Sequence, residues 1–148
     1  MAFRFSLQTL LRLRQAHERQ ERLRLEILSS DRVQAQTQLE IAARERLSAR
    51  ESLAAQLATG LTGSELHFEV ACDAARARFE RAMTERLKRL TEQRYLQLLT
   101  YQKARQKREI LDNLRARKME FYRLIQSRRE QQRLDDVFLL HRNEPGSR

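Results

Sequence analysis

The sequence predicts an all-α fold: a long antiparallel two-helix coiled coil, an α-hairpin with one central turn near Gly60–Gly63 and a longer second helix. Three observations carry this. Ala, Glu, Lys, Leu and Arg supply 85 of the 148 residues, a composition typical of long or coiled helices. The three Gly and one Pro are confined to positions 60, 63, 145 and 146, so nothing inside either long segment breaks a helix. Only three Val and four Ile occur, too few for the β-branched runs that an α/β or all-β catalytic domain needs.

The first helix is expected over about 6–59, a stretch of good helix formers interrupted only by scattered Ser, Thr and Asp. At Gly60-Leu61-Thr62-Gly63 the chain turns: Gly60 suits the left-handed position that closes a helix, and Thr62 with Glu65 has the spacing of a capping box that opens the next. The second helix is expected over about 64–141. Asn143-Glu144-Pro145-Gly146 then ends it in a frayed tail, 142–148. The whole chain, 1–148, reads as a single hairpin. Leu, Ile, Val and Phe number only 37, enough for a seam between two helices and too few for a thick globular core.

Two helices joined by so short a turn must run antiparallel. A turn centred between Leu61 and Thr62 sets residue i opposite about 123 − i. Leu57 then meets Leu66, Leu53 meets Val70, Leu39 meets Met83, Ala35 meets Leu87, Leu28 meets Tyr95 and Leu25 meets Leu98. Leu111, Leu114, Lys118, Phe121 and Ile125 repeat at seam spacing, with Arg32, Arg46 and Lys118 as polar intrusions. Glu18–Arg22, Glu40–Arg44 and Glu85–Arg89 have the spacing of ion pairs along one helix. At ~1.5 Å per residue the first helix spans about 80 Å and the second about 115 Å. Roughly the last 25 helical residues are therefore expected to extend beyond Ser6 without a partner helix. They include Phe121, Tyr122, Leu124, Ile125, Leu134, Val137, Phe138, Leu139 and Leu140, part of which Phe3 and Phe5 have the reach to cover.

The net charge is +10, and residues 86–133, with 15 basic and five acidic side chains, account for all of it. Such an excess suits an anionic partner of any kind. One cysteine, Cys72, excludes an intramolecular disulfide and reads as a small helical side chain. Arg4, Gln8 and Arg12 interrupt the apolar residues of the N-terminus before a secretory core forms, and no apolar run approaches the ~20 residues that span a bilayer. His17, His67 and His141 are far apart, and no HExxH, CxxC, phosphate loop or nucleophile motif occurs, so no catalytic residue, cofactor or metal is expected. Gly60-Leu61-Thr62-Gly63 matches the GxxG of KH domains but lacks their sheet, and aromatic residues are sparse within 86–133; specific nucleic-acid binding is not expected.

The opening Phe5-Ser6-Leu7-Gln8-Thr9-Leu10-Leu11-Arg12-Leu13-Arg14, the single turn at Gly60 and the closing Arg133-Leu134-Asp135-Asp136 resemble the flagellar FliJ family over nearly the full chain. The resemblance implies a non-enzymatic, antiparallel coiled coil similar to the central stalk of rotary ATP synthases. Its partners would be the hexameric flagellar export ATPase, into whose ring the paired ends insert, the cytoplasmic domain of the export gate, and export chaperones. It would lie in the cytoplasm, associated with the inner membrane at the flagellar base through the apparatus itself. Carried over residue by residue, the ATPase-facing end comprises Phe5, Leu7, Leu10, Leu11, Leu134, Asp135 and Asp136. The gate-contacting surface retains Gln38, with Glu45 and Ala49 standing where the family pattern has Tyr. A stalk of a virulence-type secretion system, or a basic nucleic-acid-binding coiled coil, would share the hairpin.

Overall fold

A computed structural model describes residues 3–142. Two helices make up the fold, α1 (Gln8–Thr59) and α2 (Gly63–Arg142), packed as an antiparallel α-hairpin with no strand among the described residues. The expected tail lies, apart from Arg142, outside the described residues. Two compact units can be distinguished, Arg19–Gln102 and Met1–Glu18 with Lys103–Arg148.

In the 19–102 unit the turn is built from the chemistry its residues prescribe. Gly60 has φ +104°, a conformation that a Cβ would strain, and its N–H donates to the Gln56 carbonyl at 3.0 Å. Thr62 and Glu65 close a reciprocal capping box: the Thr62 N–H donates to Glu65 Oε2 at 2.9 Å, and the Glu65 N–H donates to Thr62 Oγ1 at 3.3 Å. The hydroxyl and N–H of Thr62 hold the Glu65 carboxyl below its ordinary value.

The seam of this unit follows an unbroken heptad. Residues 21, 25, 28, 32, 35, 39, 42, 46, 49 and 53 of α1, and 69, 73, 76, 80, 83, 87, 90, 94, 97 and 101 of α2, are all at least half-buried. Cross-helix bonds fix the register: Arg50 to Asp73, Arg32 to Thr91 and Arg94 to Ser29 each join residue i to residue 123 − i. The apolar residues do not all fill the seam. Val70, Tyr95 and Leu57 are exposed, because they stand beside the heptad positions that turn inward, and charged residues occupy many of those positions instead; Leu66 is exposed at the turn itself.

Arg46 is therefore no defect in the packing. Its guanidinium donates to Asp73 through Nε (2.9 Å) and Nη2 (3.2 Å), and to Glu80 through Nη1 (3.1 Å), spanning two turns of the opposite helix. Arg50 adds a second two-pronged contact to Asp73, at 3.2 and 3.1 Å. Nearer the other end of the unit, the Glu21 carboxylate is 2% exposed. It accepts from Gln97 Nε2 across the seam at 2.6 Å and from Arg24 Nη1 at 2.8 Å. The pairs along α1 also differ from those the spacing suggests: Arg22 pairs with Glu26, while Glu18 reaches across to Arg108.

Arg46 first and Arg50 second hold the Asp73 carboxyl well below the usual carboxylate range, and Asp73 in turn pushes Arg46 further above its already high value. A carboxyl whose folded value lies below its unfolded one stabilises the fold fully above the unfolded value, near 3.9, and loses that contribution as pH falls through the lower folded value. Thermal melts followed by circular dichroism are therefore expected to keep their midpoint down to about pH 4 and to drop below it. In Asp73→Asn the neutral-pH midpoint falls and the acid drop becomes shallower. An acid drop of unchanged size in that variant would show that the clamp is not its source.

Candidate functional site

The site residues inferred from sequence fall in the unit formed by both chain ends, except Gln38. Before α1 begins, the Phe5 carbonyl accepts from the Gln8 N–H (3.1 Å), and the Leu7 carbonyl from the Leu11 N–H (2.9 Å). This turn swings Phe5 back onto α2, where Phe5, Leu11 and Leu111 form a small buried cluster with Phe3, Leu7 and Leu114 packed against it. The Phe3 ring lies 5.7 Å from that of Tyr122, tilted by 54°, an attractive arrangement for two aromatic edges and faces. Lys118 Nζ sits 5.8 Å above the Phe5 ring, a cation–π geometry that also keeps the i to 123 − i register. Glu18 closes the cluster on one side, accepting from Arg108 Nε at 2.7 Å and Nη2 at 3.3 Å, while Arg108 Nη1 donates to Asp112 at 2.7 Å. Glu18 and then Asp112 raise the Arg108 pKa above its ordinary value, so it remains a fixed cation.

Of the residues assigned to a partner-facing end, Phe5 and Leu11 are thus buried in the unit's own core and Leu7 is partly buried against it, while Leu10 is 36% exposed. Leu134, Asp135 and Asp136 lie elsewhere: Leu134 follows Leu111 by 23 residues on the same helix, about 35 Å at ~1.5 Å per residue. The two groups do not form one patch. The cap of Phe3 and Phe5 on α2 ends at Tyr122, and Tyr122, not its neighbour Phe121, turns inward.

Beyond Gln126 the exposure changes character. Every residue from 127 to 142 is exposed, on all sides of the helix. Leu134 (70%), Val137, Phe138 (68%), Leu139 and Leu140 present large apolar side chains beside Asp135 and Asp136. Among the described residues no other segment of this unit covers these apolar side chains. Sequence reasoning assigned only Leu134, Asp135 and Asp136 to the site. Val137, Phe138, Leu139 and Leu140 are exposed beside them, and the signal in the sequence is their clustering within four residues.

Gln38 is exposed on α1 of the 19–102 unit, between Gln36 and Glu40 in sequence, whose side chains hydrogen-bond to each other. Glu45 is exposed as well, whereas Ala49 is half-buried in the seam. The open hollow at the turn, lined by Gln56, Thr59, Leu61, Glu65, Phe68 and Glu69 among others, gathers no convergent reactive set. No group of three or more His, Cys, Asp or Glu suited to a metal ion occurs among the described residues, and no helix there is long and apolar enough to cross a membrane.

Comparison with known proteins gives one finding. The family model described as Flagellar FliJ protein matches residues 3–144. No curated protein and no solved structure gives a match.

Proposed function

Because the chain belongs to the flagellar FliJ family, whose members are components of the flagellar export apparatus, we propose that it is the non-enzymatic central stalk of that apparatus, seated in the hexameric export ATPase. The observation that carries this reading is the α2 segment 127–142, exposed on every side and bearing Leu134, Val137, Phe138, Leu139 and Leu140. Apolar side chains at that density need a partner surface, and a bare helix suits a narrow ring pore. Asp135 and Asp136 orient it by charge. Leu10 is the N-terminal residue that contributes to the same partner, while Phe5, Leu7 and Leu11 hold the N-terminal turn in place behind it.

In this mechanism the stalk hydrolyses nothing. It binds the assembled ring better than separate ATPase subunits, and so shifts the equilibrium towards the active hexamer by the difference in affinity. Gln38 marks the surface that meets the cytoplasmic domain of the export gate, and empty export chaperones are further partners. The protein acts in the cytoplasm, held at the inner membrane by the apparatus.

The test is to add the purified chain to the cognate export ATPase and measure hexamer formation and ATP turnover. Both are expected to rise severalfold, and a chain ending at Arg133 is expected to lose the effect while keeping its helicity. No stimulation by the full chain, or equal stimulation by the shortened one, would overturn the reading.

A further inference from the structure

In the 19–102 unit, the face of α1 opposite the seam carries five large aliphatic side chains among its polar ones. Leu23, Ile27, Val33, Ile41 and Leu47 are each 48–61% exposed. In the heptad set by residues 21, 25, 28, 32 and 35, they occupy the outward positions, which in a two-stranded coil are ordinarily charged. Single exposed aliphatics are common, but these five share one face of one helix over 24 residues, about 36 Å at ~1.5 Å per residue.

The charges flanking this row say what covers it. Laid antiparallel on a copy of itself so that residue i faces residue 70 − i, Leu23 meets Leu47, Val33 meets Thr37 and Ser30 meets Glu40. Arg19 then meets Glu51 and Glu26 meets Arg44. Ile27 and Ile41 come level to within two residues. No like charges oppose one another among these pairs, and two-fold symmetry repeats each pair, as an isologous interface requires. Glu26 already accepts from Arg22 Nε of its own helix at 2.9 Å, which orients its carboxylate on this outer face.

We propose that the outer face of α1 between Arg19 and Glu51 is a homodimer interface, on which a second copy of this chain packs antiparallel about a two-fold axis that crosses the helix at the level of residue 35, on the side away from α2. Aliphatic side chains supply the attraction, and the Arg19–Glu51 and Glu26–Arg44 contacts set direction and register. The interface leaves the seam untouched, because its residues point away from α2.

Sedimentation equilibrium of the full chain at low salt, over a range of concentrations, tests this. A reversible monomer–dimer equilibrium is expected, weakened at least tenfold by Glu26→Arg and by Arg44→Glu, each of which sets like charges across the axis. The double variant Glu26→Arg/Arg44→Glu restores the pairing in reverse and is expected to return the dissociation constant to within about threefold of the original. Leu23→Glu with Leu47→Glu abolishes the dimer. All these side chains are exposed, and unchanged helicity by circular dichroism checks that each variant folds. A chain that stays monomeric at every concentration, or a charge swap that fails to rescue, overturns the proposal. So does a dimer lost on ending the chain at Arg133 and retained in the double Leu→Glu variant, since its interface would lie on 134–142.

Discussion

Leu11→Ala is expected to destabilise the protein by about 2–3 kcal/mol, a fall of roughly 5–10 °C in melting temperature. Leu11 is the one large side chain with no exposed surface among the described residues. Truncating a buried Leu removes its transfer free energy and leaves a cavity as well. The cluster around it is small, Phe5 and Leu111 with Phe3, Leu7 and Leu114 at its margin, so the neighbours collapse partly into the space and the cost sits in the lower part of the usual range. Leu10, one residue earlier and 36% exposed, is expected to cost less than about 1 kcal/mol on the same change. Chemical denaturation of the two variants, with hydrogen exchange read at the amides of 103–125, separates them. Leu11→Ala speeds exchange there because Phe5 and Phe3 lose their anchor, and Leu10→Ala leaves it unchanged. Equal stability of the two variants would show that the N-terminal turn is not held by this cluster. The contrast also sorts the proposed ATPase-facing residues. Loss of ATPase stimulation in Leu11→Ala reports a loosened N-terminus, whereas loss in Leu10→Ala reports a lost contact.

The turn was fully legible because its chemistry is local. Gly60 supplies a positive φ, and Thr62 and Glu65 cap one another three residues apart. Once the turn is placed, antiparallel geometry carries the register outward, and the bonds from Arg50 to Asp73 and Arg94 to Ser29 obey the same rule. Seam membership was harder to read. Apolar spacing of three and four fits the seam and the outer faces equally when both carry Leu and Ile, as α1 does at Leu25 and Leu28 on one side and Leu23 and Ile27 on the other. Charged residues at inward positions, Arg46, Asp73, Glu80 and Glu21 among them, remove the contrast that hydropathy relies on. Tyr95 and Phe121 were misplaced for this reason. The end of pairing did leave a trace. Continuing the α2 heptad past Ile125 puts Arg129, Gln132 and Asp136 at inward positions, and from 127 onward every residue is exposed. What composition hides is that Phe5 and Leu11 are core residues, since only the fold shows the N-terminal turn bringing them to Leu111.

Gln97→Leu is expected to cost about 1–3 kcal/mol, although it adds an aliphatic residue to a helix seam. Glu21, 2% exposed, keeps its charge out of water, and Gln97 Nε2 serves both its carboxylate, at 2.6 Å, and its main-chain carbonyl, at 3.1 Å. Leu at 97 removes both donations and offers the carboxylate an apolar neighbour, so the desolvation of a buried charge is no longer offset across the seam. Replacing both partners, Glu21→Leu with Gln97→Leu, removes the charge along with its donor. The double variant is expected to match or exceed the parent in stability. The coupling between the two sites is then at least 1 kcal/mol by a double-mutant cycle, well beyond the roughly 0.3–0.5 kcal/mol scatter of independent sites. Additive single effects would mean that Arg24, at 2.8 Å, satisfies the carboxylate without help from α2. A more stable double variant would locate the value of the polar pair in specificity. Leu against Leu packs in several registers, while a carboxylate that must meet an amide permits one. Such a seam trades cohesion for alignment.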